Sequence, residues 1–600
     1  MTTPPPDALY LDITQPIEER VANLLSYMTL EEKIGQMALV EKNSLKKPSD
    51  ITKYALGALL SGSGAKPEEN SADGWRGMIM GYQEQARSSR LGIPLLYGSD
   101  AIHGHAHVPE ATVFPHMIGL GATGDPGLVK KVARATAEEL SVTGVNWNFA
   151  PNLDTPQDIR WGRVYESFSD DPKLVAKLGT AYIEGLQSAK NSESGQISVL
   201  AAAKHFVGLG GMTWGSSLNK DFKIDQGVSA ADETLLREVY VPPFVEAIDA
   251  GVSSIMVGLN TWEDDRMVRQ KHLLTDVLKV ELDFKGFVVS DWYGVHEGRR
   301  NNFLATVQAV NAGVDMVMLP FDYKSFIHHM KWGNRLGLIS DQRIDDAVSR
   351  ILSAKFAVGL FDGEVDVLES TAIPSGQNRT LAREAVAQSL VLLKNEDSTL
   401  PLTNTVKKIR VAGSAADNVG RQAGAWTVEW QGIDGSTLSG ATSIYKGIQN
   451  RAETQGTEVE YDWQGIFADT KNAADIGIAV VGEKPYAEGW GDTEYPILDD
   501  EDLQAIKNLQ DSSKKVVVVI VSGRPLLIEH EVESFDALVA AWLPGSEGGG
   551  VADVLFGDKS FVGTLPLPWP RSSEQLPITP DGQTNDSTEV LFPRYFGLKN

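Results

Sequence analysis

The stretch Gly286-Phe-Val-Val-Ser-Asp291-Trp292 decides how this sequence is interpreted. Its apolar, β-branched centre predicts a short buried strand, and a carboxylate and an indole follow where that strand ends. Parallel α/β barrels carry their functional side chains at the carboxyl ends of their strands. The stretch therefore predicts a strand of such a barrel and, in Asp291, a candidate site residue.

The same pattern, an apolar run that ends in polar side chains, recurs through the first half of the chain. Such runs begin at Ile93, Val145, Ile197, Ser254 and Val314, and the polar residues near their ends are Asp100, Asn152, Asp154, Lys204, His205, Asn260 and Asp322. Amphipathic stretches that predict helices lie between them, over 126–142, 233–250 and 272–282. Buried strands that alternate with helices predict an N-terminal (β/α)8 TIM-type barrel.

A second series of strands follows the barrel. Ser340 caps a predicted helix that would close the barrel, and a turn-rich stretch over 362–379 is interpreted as a linker. Further strands are predicted over 409–413, 476–482, 516–523 and 538–545, a pattern typical of an open α/β sandwich. We expect a barrel over 1–365, a linker over 366–382 and a C-terminal α/β sandwich over 383–600.

The composition excludes several classes of protein. The chain has 600 residues, and 80 acidic against 54 basic side chains give a net charge of −26. Nucleic acid backbones and anionic membranes repel such a polyanion, so we expect neither as a partner. The chain has no cysteine, which excludes disulfides, thiolate catalysis, zinc fingers and iron–sulfur clusters.

The sequence leaves the cellular compartment open. No apolar stretch approaches the ~18 residues that a membrane span needs. The first residues contain neither the basic segment nor the apolar core of a signal peptide. We expect a cytoplasmic protein if the sequence is complete, and a periplasmic or secreted one if a signal peptide has been removed.

Asp291 and Trp292 have two interpretations. A glycosidase needs an ionised carboxylate to attack the anomeric carbon and an aromatic face beside the sugar ring. Alternatively, Asp291 only caps the helix that follows. The local sequence favours neither interpretation.

The loop Gly482-Glu-Lys-Pro-Tyr-Ala-Glu488-Gly-Trp-Gly-Asp492 contains the second candidate site. It follows a very apolar strand, and open α/β sheets place functional loops at that end. Two carboxylates, Glu483 and Glu488, are candidates. The alternative interpretation is a solvated surface loop.

A third cluster combines Arg160-Trp-Gly-Arg163-Val-Tyr-Glu166 with Lys204-His205. Sugar hydroxyls need charged donors and acceptors in fixed positions, and arginine provides donors in a rigid fork. Alternatively, the arginines form structural ion pairs and the histidine is a buried residue with satisfied hydrogen bonds.

Two further motifs could indicate other functions. Gly119-Leu-Gly121-Ala-Thr-Gly124 fits the dinucleotide pattern G-x-G-x-x-G, but the residues before it make a poor strand. His103, His105 and His107 alternate as in a metal cluster, yet no acidic residues stand at metalloenzyme spacing. We interpret both as structural or substrate-side elements, with a nucleotide or a metal as the alternative.

Taken together, the motifs resemble glycoside hydrolase family 3, and in particular its two-domain β-glucan exohydrolases and β-glucosidases. The motifs that carry the resemblance are Tyr97-Gly-Ser-Asp100-Ala-Ile-His-Gly, Arg160-Trp-Gly-Arg-Val-Tyr-Glu-Ser, Ala203-Lys-His-Phe, Val289-Ser-Asp-Trp and Trp542-Leu-Pro-Gly-Ser-Glu-Gly. They occur in order from about residue 10 to the C-terminus.

The resemblance implies a barrel and a sandwich with the active site at their junction. It implies that Asp291 is the nucleophile and that Glu488, rather than Glu483, is the acid/base. The residues that it implies for binding are Asp100, Arg163, Lys204 and His205 around the innermost glycosyl unit, with Trp292 and Trp430 on the two faces of the next glucose. It implies no cofactor and no metal.

A retaining mechanism sets physical conditions on this site. The two carboxyls must lie only ~5–5.5 Å apart, so we expect the two domains to pack tightly. The surroundings should raise the pKa of Glu488, and Arg163 and Lys204 should keep Asp291 ionised. An indole that stacks on a sugar contacts the face of the ring, whatever linkage the sugar carries. This predicts that the protein accepts several kinds of β-linkage.

Three positions depart from the family pattern: Leu218 stands in place of a glutamate, Leu259 in place of a tyrosine and Glu297 in place of an arginine. Positions 218 and 259 lie near the substrate in relatives. These departures put the linkage preference and the fine setting of the nucleophile in doubt.

We therefore expect a retaining, exo-acting β-glucosidase or exo-β-glucan glucohydrolase, a monomer or homodimer that acts on β-linked gluco-oligosaccharides or β-glucans. A β-xylosidase is one alternative, because pentose and hexose pockets differ by one CH2OH group. A β-N-acetylhexosaminidase is another, although the loop over 212–220 lacks the histidine that such relatives carry. A non-catalytic glycan-binding protein is the third.

Overall fold

The N-terminal half forms a barrel of eight parallel strands. The computed structural model describes residues 4–5, 7–62, 64–188, 199–297, 300–362, 373, 375–435, 438–469 and 472–599. The barrel strands, in chain order, are Ala38–Glu41, Ala58–Ser61, Leu96–Ser99, Trp147–Asn148, Leu200–Phe206, Ser254–Val257, Phe287–Ser290 and Val317–Leu319. Each of the first six strands pairs with the next, and the last pairs with the first.

A parallel bridge between Val289 and Met316 joins the seventh and eighth strands and completes the circle. The predicted barrel is confirmed. The sequence pattern did not identify the first two strands, Ala38–Glu41 and Ala58–Ser61. Both are only four residues long and lie beside helical stretches, where a short apolar run cannot be assigned by periodicity.

Helices surround the barrel strands. The α-helices of this half are Ile17–Tyr27, Leu30–Gln36, Ser49–Tyr54, Ala72–Arg87, Met117–Thr123, Pro126–Thr143, Pro172–Leu186, Glu233–Leu235, Pro242–Asp249, Asn302–Ala312, Tyr323–Arg335 and Asp341–Ala357. The side chain of Ser340 accepts a hydrogen bond from the Arg343 amide, which confirms the predicted cap. The helix predicted over 126–142 is also confirmed.

Two predicted helices differ from the α-helical form. The stretch 233–250 is divided, with a π-helical segment, Leu236–Tyr240, between its two α-helices. Pro242 and Pro243 follow that segment and lack the amide hydrogens that would continue the ladder. The other predicted helix, over 272–282, is π-helical at His272–Glu281.

The C-terminal half contains a six-stranded sheet. Its spatial order is Val391–Asn395, Ala537–Ala540, Val516–Val521, Ile476–Gly482, Lys408–Ala412 and Glu458–Tyr461. All neighbours are parallel except the first pair. Its α-helices are Ser375–Ser389, Val419–Ala423, Ile444–Thr454, Asp500–Ser512 and Gly549–Leu555.

The predicted α/β sandwich is confirmed, with two strands that the sequence pattern missed. Both missed strands lie at the edges of the sheet, and Glu458–Tyr461 is only partly buried. An edge strand with charged residues does not show the continuous apolar run of a central parallel strand.

The expected linker needs a correction. Residues 375–382 are not turn-rich, because they form the first part of helix Ser375–Ser389, which packs against helix Met117–Thr123 of the barrel half. Of the remaining linker residues, 366–372 and 374 lie outside the described part of the chain. The domain limits 1–365 and 383–600 stay a prediction.

The two halves meet in a hydrogen-bonded, apolar junction. The His116 amide donates to the Leu543 carbonyl at 3.1 Å, and the Ser546 amide donates to the Val113 carbonyl at 2.8 Å. Apolar side chains of both halves form one continuous buried cluster. Across the described residues, we find no helix whose length and apolar content would let it cross a membrane.

Candidate active site

The carboxyl ends of three barrel strands bring predicted site residues together. Asp100 follows the third strand, Lys204 and His205 lie in the fifth, and Asp291 follows the seventh. The Lys204 ammonium lies 3.3 Å from Asp100 Oδ1. Because parallel barrel strands end on the same face, residues almost 200 positions apart in the chain share one site.

The Asp291 carboxyl is largely buried at the end of its strand. Its Oδ1 accepts a hydrogen bond from the Trp292 amide at 2.5 Å. Burial raises the pKa of Asp291, and the nearby Arg163 and Lys204 oppose this rise. In the described residues, the next helix is Asn302–Ala312, and Asn301 provides its cap. The capping interpretation of Asp291 is therefore wrong.

His205 is held as a neutral ring with its proton on Nδ1. Nδ1 lies 2.8 Å from Asp154 Oδ2, and Nε2 lies 3.2 Å from Arg163 Nη2. A guanidinium can only donate, so Nε2 accepts and Nδ1 donates to Asp154. Burial and the cations Arg163 and Lys204 lower the pKa of His205 well below its usual range. The opposite ring atom, Nε2, lies 3.7 Å from Asp291 Oδ2.

Arg163 lies between the two halves of the site. Its guanidinium makes a bidentate pair with Glu166, at 3.0 and 2.8 Å, and both side chains are buried. The remaining terminal nitrogen, Nη1, lies 3.6 Å from Glu488 Oε1. Arg163 and His205 thus form a continuous chain of contacts from Glu488 to Asp291, although these carboxylates belong to different halves of the molecule.

Glu488 belongs to the C-terminal half. Its backbone conformation is unusual, and the pKa of its carboxyl is raised. Its φ of 55° lies in the left-handed region, which a residue with a side chain rarely adopts. Burial raises the pKa of Glu488 to about 8, against the opposing effect of Arg163. The charges of Asp225 and Asp291 contribute to this rise. The predicted rise is confirmed in direction.

Barrel loops hold the Glu488 turn in place. Asp492 Oδ2 accepts hydrogen bonds from the three amides of residues 223–225 at 2.8 to 3.0 Å, and Oδ1 accepts one from Gly162 at 3.0 Å. Asp225 in turn accepts from the Gly489 amide at 3.1 Å. A Cβ on Gly162 would lie 2.0 Å from the Glu488 carbonyl oxygen. The Glu488 turn is therefore fixed to the barrel.

Glu483, the other carboxylate of this loop, has a structural role. It accepts from Arg524 Nε at 2.8 Å, from the Tyr486 hydroxyl at 2.8 Å and from the Gly523 amide at 3.1 Å. Arg524 also donates to the backbone carbonyl of Gly491 at 2.7 Å. Glu483 supports the loop, and Glu488 is the carboxylate aimed at the barrel site.

The Trp292 indole and the backbone of Trp430 border one barrel loop. A Cβ on Gly62 would lie 2.5 Å from Cζ3 of Trp292, and a Cβ on Gly64 would lie 3.2 Å from the Trp430 amide nitrogen. Both indoles are partly buried against the core, which leaves part of each accessible. The structure therefore brings Trp292 and Trp430 to the same edge of the site.

Trp426 is a site residue that the sequence pattern did not single out. Its indole Nε1 donates to Glu166 Oε1 at 3.2 Å, and Lys204 Nζ lies 5.8 Å from its ring centroid. The Val428 amide donates to the Ala106 carbonyl at 2.8 Å. The segment 426–430 of the C-terminal half is thus fastened over the barrel.

Asp225 and Asp492, which hold the acid/base turn, were also not predicted as functional. The only local signal was that Asp492 ends the quoted Glu488 loop. Their partners are backbone amides of distant segments, which no spacing rule reveals. Arg160, in contrast, has the structural role that the sequence left open: it pairs with Asp158 and lies over Trp214.

The G-x-G-x-x-G motif is structural. Gly119 and Gly121 lie in helix Met117–Thr123, and no strand directly precedes it in the described residues 100–116. A Cβ on Gly121 would lie 1.8 Å from the Phe168 carbonyl oxygen, so glycine is required for helix packing. Gly124, with a φ of 59°, ends the helix.

Each of the three alternating histidines has its own partner. His103 Nδ1 lies 3.0 Å from the Phe114 carbonyl, His105 Nε2 lies 3.0 Å from Thr143 Oγ1, and His107 Nε2 lies 3.1 Å from the Asp100 carbonyl. Burial lowers the pKa of all three rings. Within the described ranges, no three histidine or acidic side chains are grouped so as to hold a metal ion.

The departures from the family pattern have different environments. Leu218 is exposed, with 61% of its surface accessible. Leu259 and Glu297 lie beside the nucleophile turn: a Cβ on Gly294 would lie 2.8 Å from Leu259 Cδ2, and Glu297 Oε2 lies 3.2 Å from Arg266 Nη2.

A barrel and an α/β sandwich that share a site with two carboxyls define a glycoside hydrolase. The family model for the glycosyl hydrolase family 3 N terminal domain matches residues 29–354, and the model for the glycosyl hydrolase family 3 C-terminal domain matches residues 390–599. The chain belongs to glycosyl hydrolase family 3, which confirms the resemblance seen in its motifs.

Relatives and solved structures agree with this assignment. A lysosomal beta glucosidase of Dictyostelium discoideum is 32% identical, with 93% of this chain and 73% of that protein aligned. A beta-xylosidase of Formosa agariphila is 31% identical, over 97% of this chain and 79% of that protein.

Among solved structures, a variant of the exo-1,3/1,4-beta-glucanase of a Pseudoalteromonas species has a TM-score of 0.90 and 38% identity, covering 97% of this chain and 95% of its own. A beta-glucosidase mutant of Listeria innocua, in complex with laminaribiose, has a TM-score of 0.81 and 28% identity, covering 97% and 83%.

Proposed function

We propose that the protein is a retaining, exo-acting β-glucosidase or exo-β-glucan glucohydrolase, with Asp291 as nucleophile and Glu488 as acid/base. The observation that carries the proposal is the chain of contacts from Glu488 through Arg163 and His205 to Asp291. It joins a protonated carboxyl and a strand-end carboxylate across the domain junction, and a double displacement needs this pair.

In the first step, Asp291 attacks the anomeric carbon as the bond to the leaving oxygen breaks. Glu488 gives its proton to that oxygen, and a glycosyl ester on Asp291 results. A pKa of about 8 keeps the Glu488 carboxyl protonated at neutral pH for this step. Arg163 and Lys204 stabilise the ionised form of Asp291.

In the second step, the ionised Glu488 accepts a proton from water as the water oxygen attacks the anomeric carbon. The ester bond to Asp291 breaks, and the sugar leaves with its β-configuration retained. The positive charge of Arg163, 3.6 Å from Glu488, stabilises the carboxylate that exists between the two steps.

The positions of the polar groups support the proposed binding roles. Asp100, Lys204 and His205 are placed at strand ends inside the barrel, where a terminal sugar would present its free hydroxyls. Trp292 and Trp430 border the loop at the edge of the site, where the next sugar would stack. This supports removal of single glucose units from non-reducing ends of β-1,3- and β-1,4-linked substrates.

A β-xylosidase is the second candidate, because one of the two relatives above carries that name. Rates on matched aryl β-glucosides and β-xylosides separate the two. We expect kcat/KM to favour the glucoside, and a clear preference for the xyloside would replace the proposed substrate. A series of β-linked glucose disaccharides then gives the linkage preference.

The variant Asp291→Gly tests the nucleophile. We expect it to lose nearly all activity on aryl β-glucosides and to regain part of it with azide, which would attack from the vacated side and give an α-glucosyl azide. Asp283→Gly is the matched control, because Asp283 is exposed and has a φ of 54°, a conformation that glycine adopts readily. Wild-type rates in Asp291→Gly would refute the assignment.

A further inference from the structure

A second ion pair lies behind the nucleophile turn. Arg266 belongs to a short antiparallel strand pair, Thr261–Trp262 with Asp265–Arg266, that follows the sixth barrel strand. Its side chain is 6% exposed, and Nη2 lies 3.2 Å from Oε2 of Glu297. Glu297 lies six positions after Asp291, in the turn that leaves the seventh strand.

Arg266 connects three segments of the site. Nη1 donates to the Gln226 carbonyl at 3.0 Å and also to the Leu259 carbonyl. Gln226 adjoins Asp225, whose carboxylate holds the Gly489 amide beside the acid/base. One guanidinium therefore fastens the end of the sixth strand, the loop that supports Glu488 and the turn that follows the nucleophile.

The nucleophile turn has little room to shift. Leu259 packs against Gly294, where a Cβ would lie only 2.8 Å from the leucine Cδ2. The Gly294 amide donates to the Asp291 carbonyl at 3.1 Å. Leu259, whose carbonyl accepts from Arg266, is therefore connected through Gly294 to the backbone of Asp291.

The charges of Glu297 and Asp291 act on one another. Burial raises the pKa of Glu297, and so does the charge of Asp291, while Arg266 and Arg269 oppose the rise. Burial lowers the pKa of Arg266, and Glu297 and Asp265 oppose this. The groups that act on Asp291 from the other packed elements are Arg163, Lys204 and Asp100, with His205 in contact and Glu488 opposite.

The negative charge of Glu297 acts on a carboxylate that already faces two cations. A like charge disfavours the ionised form of a carboxyl. Glu297 therefore opposes part of the stabilisation that Arg163 and Lys204 give to the Asp291 carboxylate. A carboxylate that is stabilised less strongly is a better nucleophile.

We propose that Arg266 and Glu297 are positioning residues for Asp291: Arg266 locks the turn after the nucleophile and holds the Glu297 carboxylate, and the charge of Glu297 opposes the cations that face the attacking carboxylate. This inference rests on the proposed function, in which Asp291 attacks the sugar. It assigns a function to a position where the chain departs from the family pattern.

The test compares the pH dependence of kcat/KM in Glu297→Gln, Arg266→Met and the double variant. In Glu297→Gln we expect the acidic limb to move to lower pH by roughly half a unit or more, because the charge that opposes ionisation of Asp291 is then gone. We expect kcat to fall by roughly tenfold, because a more strongly stabilised carboxylate is a weaker nucleophile. In the double variant the limb should stay at this lower pH, since the Glu297 charge is absent there too.

Glu281→Gln is the matched control, because Glu281 forms an exposed pair with Arg237, at 2.7 Å, on the outside of the same barrel. It should leave the profile unchanged. If Glu297→Gln lowers the melting temperature but leaves the acidic limb in place, the pair is merely structural and the inference is wrong. A limb that moves to higher pH also overturns it.

Two measurements keep this result separate from the proposed function. If Arg266→Met fails to fold, Glu297→Gln alone still decides, because its expected shift does not need the other variants. If Asp291→Gly stays active, the proposed function itself fails. If Asp291→Gly is inactive and is rescued by azide while Glu297→Gln has a wild-type profile, only the positioning inference fails.

Discussion

At the scale of single residues, Arg163 acts on both proposed catalytic carboxyls. It lies 3.6 Å from Glu488, and its charge opposes the rise in the pKa of Asp291. The bidentate pair with Glu166 fixes the plane of the guanidinium, so one group can serve both steps of the reaction. A lysine cannot reproduce this fork.

Arg163→Lys should therefore lower kcat/KM on aryl β-glucosides by roughly 10²-fold or more, because a point charge cannot keep Glu166, His205 and Glu488 in place together. Steady-state kinetics measures this. Arg160→Lys is the control, since the ion pair of Arg160 is with Asp158 and not with Asp291 or Glu488. Equal losses in the two variants would contradict the role of Arg163.

The proposed acid role of Glu488 predicts an alkaline limit of activity, because the pKa of this carboxyl is raised. A general acid must be protonated, so kcat/KM should fall as pH rises through about 8, the pKa of this carboxyl. Below that pH the Glu488 carboxyl keeps its proton, and its titration should no longer change kcat/KM. The pH profile of an aryl glucoside with a poor leaving group measures the limit.

Glu488→Ala should remove the alkaline limb. With a dinitrophenyl glucoside, whose leaving group needs no proton, the variant should keep substantial first-step activity. A limb near pH 8 that persists in Glu488→Ala would assign the titration to another group.

At the scale of elements, the turn Glu488–Gly491 is held by close backbone contact with a barrel loop. Gly162→Ala should lower kcat, because its Cβ would lie 2.0 Å from the Glu488 carbonyl oxygen and would displace the acid/base. Gly81→Ala is the matched control. Gly81 lies within helix Ala72–Arg87 with nothing within 4 Å of its Cβ position, so alanine should raise stability by about 0.5–1 kcal/mol.

Kinetics together with thermal unfolding separates the two effects. Gly162→Ala with an unchanged kcat would show that the turn can move away from the barrel without consequence, which contradicts a fixed acid/base turn.

Element prediction from the sequence succeeded where a buried strand was continuous and apolar. Phe287–Ser290 and Ile476–Gly482 have the predicted bounds. Ala38–Glu41 and Ala58–Ser61 were missed because four residues beside helical stretches carry no distinct period. Turn-forming residues favoured a linker up to 382, yet helix Ser375–Ser389 occupies its last part. Packing against the barrel half stabilises that helix, and such a tertiary contact cannot be predicted from a local sequence pattern.

At the scale of the whole molecule, the proposed catalytic site lies where the two halves meet. The sequence places Asp291 and Glu488 almost 200 positions apart, and local patterns left both roles open. The family motifs, not periodicity, predicted that they act together. The supports that make this possible, Asp225 and Asp492, bind distant backbone amides, and such contacts cannot be predicted from spacing.

The net charge of −26 belongs to the same scale. Because a β-glucan is uncharged, the field of the protein neither attracts nor repels it. We expect kcat/KM on a neutral disaccharide to change by less than about twofold between low and moderate ionic strength. A steep dependence on salt would indicate a charged substrate.

The most direct test of the proposed mechanism is to trap the glycosyl-enzyme. A 2-deoxy-2-fluoro β-glucoside with a good leaving group forms the ester but hydrolyses slowly, because the fluorine destabilises the second transition state. Intact-mass spectrometry should then show one added fluoroglucosyl group, and peptide mapping should place it on Asp291. Absence of a stable adduct during turnover, or a label on any other residue, would contradict the central claim that Asp291 is the nucleophile of a retaining enzyme.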